Sequence, residues 1–282
     1  MTTSSGPEVL RYTAFSHDPA GGNPAGVVLD ASALDDAGML AVARNVGYSE
    51  TAFVVARHER TVDVRYFSPK AEVPFCGHAT VATAVALAER LGPGDLLFRT
   101  PSGEVRVAVT AGPDGVPAAT LTSVEPHVAE APDAVVAEAL ATLGWAPDEL
   151  DPDLPPRIAY AGARHLVLAA ATRARLAALD YPMDRLTALM LAQDLTTLQL
   201  VWRESPEVYH VRDPFPVGGV VEDPATGAAA LAFGAYLRSL GPVPSRLTLH
   251  QGDDMGRPGV LTVELRPGDP RVRVTGQAVP II

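Results

Sequence analysis

The chain has 282 residues, 47% of them hydrophobic and 20% charged, which supplies apolar surface for one or two cored domains and excludes disorder, collagen and coiled coil. With 33 acidic against 22 basic residues the formal net charge is −11, so there is no broad basic face to displace counterions and nucleic acid is excluded as a partner. Cys76 is the only cysteine and Lys70 the only lysine. A single thiol rules out an internal disulfide, a cysteine-rich zinc site and a two-thiol racemase pair, and it fits a reducing compartment, so a cytoplasmic location is expected. Lys70 sits in Ser-Pro-Lys, without the glycines of a Walker A loop or the setting of a pyridoxal-phosphate Schiff base. The opening MTTSSGPEVL lacks the regions of a secretory signal, and no apolar run approaches the roughly 20 residues of a membrane helix.

In chain order, EVLRYTAF and AGVVLD read as strands joined by a polar turn ending in Gly-Gly-Asn-Pro. Met39, Val42, Ala43 and Val46 recur at one-face spacing and predict a helix over about 35–46, ended by Gly47. TAFVVAR and TVDVRYFS follow as strands, the second alternating Val62, Val64 and Tyr66 against Asp63, Arg65 and Phe67. Next comes GHATVATAVALAERLG, a helix with almost no polar face, which must be buried. A second such helix lies in VEDPATGAAALAFGAYLRSLG. Laying Ala79-Thr80 on Ala225-Thr226 gives a weak internal repeat at an offset of 146 residues.

Short alternating strands surround each helix. GEVRVAV and AATLT belong to the first half; RIAY, RHLVLAA, TLQLVWR, EVYHVR, RLTLH, VLTVEL and RVRVTGQAV fill the second. PDAVVAEALATLG and TRARLAALD read as outer amphipathic helices with Asp or Thr caps. The Pro- and Gly-rich stretch AGPDGVPAATLTSVEPHVAEAPD reads as the linker. The boundary is placed near Val124, giving domains 1–124 and 125–282, with the last strand able to cross back. The expected fold class is α+β: two pseudo-repeated domains, each a curved or barrel-like, mostly antiparallel sheet wrapped around a central buried helix.

Four clusters hold polar residues that packing does not require. Glu50, in YSETAF, opens an apolar strand; it is either a solvent-facing turn glutamate or a carboxyl held in a cleft as a proton carrier. In Cys76-Gly77-His78-Ala79-Thr80 a helix start offers amide N–H groups to an anion. His78 there is a proton donor or relay, or else a satisfied core histidine, while Cys76 reads as a small apolar packing residue. Glu222-Asp223-Pro224-Ala225-Thr226-Gly227 reads first as a helix start with Asp223 as N-cap and Pro224 at the first position. The repeat would make it a second anion-ready helix end beside a carboxylate. Gln251 to Pro258 reads as a hairpin turn, with Arg257 as a possible carboxylate anchor.

In this order, GGNPAGVVLD, SETAFV, RYFSPKAEVPFCGHATVATAVAL, VEDPATGAAALAFGAYL and QGDDMGRPGVLTVEL closely resemble the phenazine-biosynthesis PhzF-like family over nearly the whole chain. The resemblance implies a diaminopimelate epimerase-like fold with the active site between two pseudo-repeated domains. It also implies an isomerase needing no cofactor and no metal, in which a glutamate moves a proton between carbons of a cyclic unsaturated amino acid, as in trans-2,3-dihydro-3-hydroxyanthranilate isomerisation in secondary metabolism. By the same carry-over Glu50, His78 and Asp223 are catalytic. Asn23, Thr80, Gly77, Gly227 and Ala228 bind substrate, with the amides of Gly77 and Gly227 on its carboxylate. A small-molecule substrate and a homodimer are expected, and no nucleic-acid or membrane partner. Where the phenazine enzymes continue Asp-Pro-Ala-Thr-Gly with Ser, this chain has Ala228. Cys76 matches one of the two epimerase cysteines, with Glu222-Asp223 read as standing in for the other, which excludes two-cysteine epimerisation. The alternatives are a racemase pairing Glu50 with Cys76 or His78, and a non-catalytic small-molecule binding protein.

Overall fold

The computed structural model describes residues 6–112 and 114–282, so residues 1–5 of the opening segment lie outside the described residues. The chain forms two compact units, Met1–Leu121 with Thr275–Ile282, and Thr122–Val274.

The first unit carries β1 (Leu10–Ala14), β2 (Asn23–Val28), α1 (Asp36–Val46), β3 (Thr51–His58), β4 (Thr61–Phe67), β5 (Glu72–Val73), α2 (Gly77–Leu91), β6 (Gly94–Thr100), β7 (Gly103–Ala111) and β8 (Pro117–Thr122). Hydrogen bonding runs β1-β2-β3-β4-β6-β7-β8, antiparallel except for the parallel pairs β2–β3 and β4–β6. The final strand of the chain pairs with both β8 and β1 and closes an eight-stranded barrel, which leaves no free edge. Inside it lies α2, against β1, β2, β3 and β7, with every residue from His78 to Ala88 buried. Its alanines and valines give a cylinder narrow enough for the barrel bore. α1 stays outside, capped by Asp35, whose carboxylate accepts the Gly38 N–H at 2.8 Å, and stopped by Gly47 at φ 75°.

The second unit carries β9 (His127–Glu130), α3 (Asp133–Leu143), β10 (Arg157–Tyr160), β11 (Arg164–Ala169), α4 (Arg173–Ala177), α5 (Met183–Ala192), β12 (Thr197–Arg203), β13 (Val208–Pro214), β14 (Glu222–Asp223), α6 (Gly227–Leu240), β15 (Arg246–Gln251), β16 (Gly259–Leu265) and the start of β17 (Val272–Pro280). Strands pair in the order β9-β10-β11-β12-β13-β15-β16, again antiparallel with two parallel pairs, β11–β12 and β13–β15. α6 packs on β9, β10, β11, β12 and β16. Gly234 lets it come close, since a Cβ there would stand 2.7 Å from Val263 Cγ1. On the other face of the sheet α3, α4 and α5 bury Val135, Leu140, Leu176, Leu186 and Met190 against Leu166, Leu168, Leu198 and Leu200. No helix among the described residues is long and apolar enough to cross a membrane.

Several expectations change. The stretch read as linker holds, besides the expected strand AATLT (β8), a further strand, β9, over HVAE. GDLLFRT and the helix α5 had not been anticipated. Pro132, not Asp133, precedes α3, without a side-chain cap, whereas Thr172 does cap α4. The two buried helices begin at Gly77 and Gly227, and the short strands before them at Glu72 and Glu222, so the repeat runs at 150 residues. On that register Cys76 matches Thr226, and Asp223 matches Val73.

Candidate active site

Three polar side chains of the first unit converge at the start of α2. Glu50 precedes β3, Asn23 opens β2 and His78 is the second residue of α2, so two strand starts and a helix start meet. All are buried or nearly so, with Glu50 9% exposed. His78 Nε2 stands 3.5 Å from Glu50 Oε2, and His78 Nδ1 stands 3.1 Å from the Asn23 amide nitrogen. Ser49 Oγ, not anticipated from sequence, lies 3.4 Å from Nε2. A buried carboxyl held against a ring nitrogen is a group that can give and take a proton without solvent intervening.

Cys76, read from sequence as an apolar packing residue, instead has polar neighbours: its Sγ lies 3.5 Å from Glu50 Oε2 and 3.4 Å from His78 Nδ1. Cys76 is the N-cap of α2, with an extended backbone, immediately before the helix that carries His78. Glu50, Cys76 and His78 offer three metal-competent donors within 4.8 Å of one another. Gly77 is the first residue of α2, and the first amides of a helix have no acceptor within it. Thr80 lies deeper: its hydroxyl donates to the Cys76 carbonyl at 2.7 Å and pairs with the Tyr66 hydroxyl at 2.6 Å. That hydroxyl anchors the helix start to Tyr66 of β4.

In the second unit the corresponding helix start is built differently. Asp223 does not cap α6; it lies in β14, directly opposite Asp213 of β13, and Thr226 takes the N-cap position. The Thr226 hydroxyl donates to Asp223 Oδ2 at 2.6 Å. Gln251, buried at the end of β15, ties the corner together. Its Oε1 accepts the Thr226 N–H at 2.9 Å, while Nε2 reaches Asp213 Oδ2 at 2.9 Å and the Asp223 carbonyl at 2.8 Å. Burial first, and then the charges of Asp223 and Glu222, hold the Asp213 carboxyl well above the usual carboxylate range. Beside them Arg212 grips Glu222 through two nitrogens, a buried bidentate pair. Gly227 is the first residue of α6, and Ala228, half-buried, presents a methyl group where a serine would present a hydroxyl. Gln251 and Asp213 each sit at the inward position of a strand otherwise filled by Leu247 and Leu249, or Tyr209 and Val211; that break in the apolar alternation was the available sequence signal. The hairpin expected around Gly252–Gly256 is present, with both glycines left-handed, at φ 83° and 71°.

The family described as phenazine biosynthesis-like protein, PhzC-PhzF, matches residues 12–282. The chain is 33% identical to the uncharacterized isomerase YddE of Escherichia coli strain K12, across 97% of this chain and 96% of that one. It is 31% identical to a trans-2,3-dihydro-3-hydroxyanthranilate isomerase of Pseudomonas chlororaphis, across 88% and 86%. Its fold is similar to that of a PhzF-family phenazine biosynthesis protein of Bacillus anthracis, with a TM-score of 0.87, 25% identity and coverage of 97% and 96%.

Proposed function

The chain belongs to the PhzF family of phenazine biosynthesis-like proteins and is an isomerase, and on that premise we propose that Glu50 carries a proton between two carbons of a cyclic, unsaturated, carboxylated amino acid. The observation that supports this most is a nearly buried carboxyl 3.5 Å from a buried imidazole at a helix start. In the proposed reaction Glu50 removes a proton from one ring carbon and returns one to another on the same face, so that the double bond shifts and no electrons are lost. His78 donates to the developing charge, and the α2 amides at Gly77 receive the substrate carboxylate. Asp223 is proposed as a further catalytic group, and the amide of Gly227 as a donor to the substrate carboxylate. Asn23 orients His78. Ala228 is proposed to set substrate choice, since a methyl replaces the hydroxyl of the phenazine enzymes and favours a substrate lacking a polar group at that point. A cytoplasmic homodimer acting in secondary metabolism completes the proposal, the dimer being checked by light scattering of the purified protein.

The racemase reading fares worse on geometry. Two bases on opposite faces of one carbon each stand about 3–3.5 Å from it, hence roughly 6–7 Å apart. Glu50 lies 3.5 Å from both Cys76 and His78, which leaves no room for a carbon between them. A non-catalytic role is set aside by the isomerase relatives.

The test is proton NMR in deuterated buffer with trans-2,3-dihydro-3-hydroxyanthranilate and related cyclic unsaturated amino acids, comparing wild type with Glu50→Gln. A double-bond shift with deuterium entering a ring carbon, slowed about 10³-fold or more in a folded Glu50→Gln, is expected. Exchange confined to an α-carbon, or turnover that survives Glu50→Gln, overturns it.

A further inference from the structure

Thr226 is the N-cap of α6, a position at which a threonine hydroxyl ordinarily accepts an amide N–H from the first turn of its own helix. Here it makes no such bond. The hydroxyl is turned the other way and donates to Asp223 Oδ2 at 2.6 Å. Gln251 fixes that direction. Its Oε1 accepts the Thr226 N–H at 2.9 Å, which leaves Nε2, a group that can only donate, 3.0 Å from the hydroxyl oxygen. The hydroxyl also bonds the Asp213 carboxyl, but it has one hydrogen, and the Asp223 oxygen at 2.6 Å takes it. We propose that Thr226 is a positioning residue for Asp223: its hydroxyl, held as a donor by Gln251, places the charge of the Asp213–Asp223 pair on Asp223 and fixes that carboxylate for the reaction.

Asp213 and Asp223 face each other across the β13–β14 pair, both buried, and two carboxyls so placed do not ionise together readily. Their donors decide which one carries the charge. Asp213 is fully buried and its Oδ1 has no hydrogen-bond partner, whereas Asp223 receives the short bond from the hydroxyl. Hydrogen bonding to the charged form favours that form. Further charges near this corner are Glu222, gripped by Arg212, and Asp254 and Arg257 of the adjoining hairpin, with Asp254 3.9 Å from Arg212. All of these stay in place when Thr226 alone is changed. The first unit has the same arrangement. Cys76, which matches Thr226 in the repeat, is the N-cap of α2, likewise makes no cap bond, and sets its sulfur 3.5 Å from Glu50 Oε2. In each unit the N-cap side chain is turned from its own helix onto a carboxylate proposed to be catalytic. The benefit to the reaction rests on the proposed role of Asp223, and the placing of the charge does not.

The experiment compares full-length wild type with Thr226→Val, which removes the hydroxyl and keeps the shape, and Thr226→Ser, which restores it. Because no cap bond is lost, both should fold, as thermal melts check; Thr226→Ala replaces Thr226→Val if the valine does not. Without substrate, carbon NMR of protein carrying carboxyl-labelled aspartate follows Asp223, assigned by the signal lost in Asp223→Asn. The Asp223 titration should move up by about one pH unit or more in Thr226→Val and return in Thr226→Ser. With a turned-over substrate, kcat at pH 7 should fall about tenfold or more in Thr226→Val, with KM moving less, and the acid limb of kcat/KM should move to higher pH. Thr226→Ser should recover both. An Asp223 titration unchanged in folded Thr226→Val, or moved equally in Thr226→Ser, overturns the placing of the charge. A titration that moves while Asp223→Asn keeps the wild-type rate upholds the placing of the charge and removes Asp223 from the reaction. Full activity in Thr226→Val beside an inactive Asp223→Asn keeps Asp223 in the reaction and overturns Thr226 as its positioning residue.

Discussion

The amide nitrogen of Asn23 lies 3.1 Å from His78 Nδ1, and the two side chains are buried together at the opening of α2. An amide N–H can only donate, so Nδ1 accepts and the proton of the neutral ring sits on Nε2, the nitrogen that faces Glu50 and Ser49. The orientation of one asparagine thus sets which end of the imidazole is the donor.

Asn23→Ala removes that constraint without touching Glu50. The ring is then free to hold its proton on either nitrogen, and turnover should fall by about tenfold to a hundredfold, less than the roughly 10²–10⁴-fold that a positioned acid or base itself supplies. Steady-state kinetics on the substrate identified by NMR checks it, with KM moving less than kcat. An unchanged kcat would remove Asn23 from the reaction and leave it as a β2 packing residue.

At the other helix start the hub is Gln251. Truncation to Ala strips the acceptor from the Thr226 N–H and the donor from Asp213 and the Asp223 carbonyl, all in a corner with little access to water. Leaving such groups unpaired costs about 1–3 kcal/mol each, so a loss of about 3 kcal/mol or more in urea unfolding is expected for Gln251→Ala. Gln251→Glu should be no better at neutral pH, since it sets a third carboxylate against Asp213 and Asp223. A loss below about 1 kcal/mol would mean that solvent replaces the amide readily.

Much of the barrel architecture was legible because its signals are local. Alternation marks β4, β15 and β16, and the nearly all-apolar surfaces of α2 and α6 demand burial, met by the barrel interior for α2 and by the sheet face for α6. The Glu50–His78 approach was legible only as motif likeness, since 28 residues separate the two and the parallel β2–β3 pairing that sets the Glu50 strand start beside Gly26, three residues after Asn23, is a long-range event. Asp223 was misread because Asp-Pro is a strong local helix start, and tertiary pairing with β13 overrode it, delaying the helix to Gly227. The repeat offset shifted with it: matching Ala-Thr letters aligned residues that occupy different turns, whereas the short strand and the helix start give the common frame. Cys76 is buried, as the packing reading expects, but its polar neighbours were not legible, since only the fold sets a carboxylate and an imidazole beside it.

His165 of β11 is fully buried, its Nδ1 2.8 Å from the Thr197 hydroxyl across the parallel β11–β12 pair. Burial pushes its pKa down to about 3, so the folded state holds it neutral. A depressed value contributes stability that is present above the unfolded value near 6.5 and is lost as pH falls from there toward 3, at up to about 1.4 kcal/mol per pH unit. Urea unfolding at pH 7, 5.5 and 4.5 should show wild type losing more stability than His165→Gln over that interval. Parallel curves for the two proteins would show that the ring titrates alike in both states.

Asp213 runs the opposite way. Burial and the neighbouring Asp223 and Glu222 raise its pKa, so the folded protein holds this proton to higher pH than the unfolded chain does. A raised value contributes stability that is whole below the unfolded value near 3.9 and drains away as pH rises toward the folded one. At pH 7 the acid therefore weakens the fold. Asp213→Asn, a neutral side chain of the same shape that still offers an oxygen to Gln251, should unfold at higher urea than wild type at pH 7. Its advantage should shrink as pH falls toward 4, by up to about 1.4 kcal/mol per unit. If Asp213→Asn is instead destabilised equally at both pH values, the carboxyl is ionised in the folded protein and the charge in that corner must be balanced by a cation, for which Arg212, already committed to Glu222, would be the first group to re-examine by Arg212→Lys.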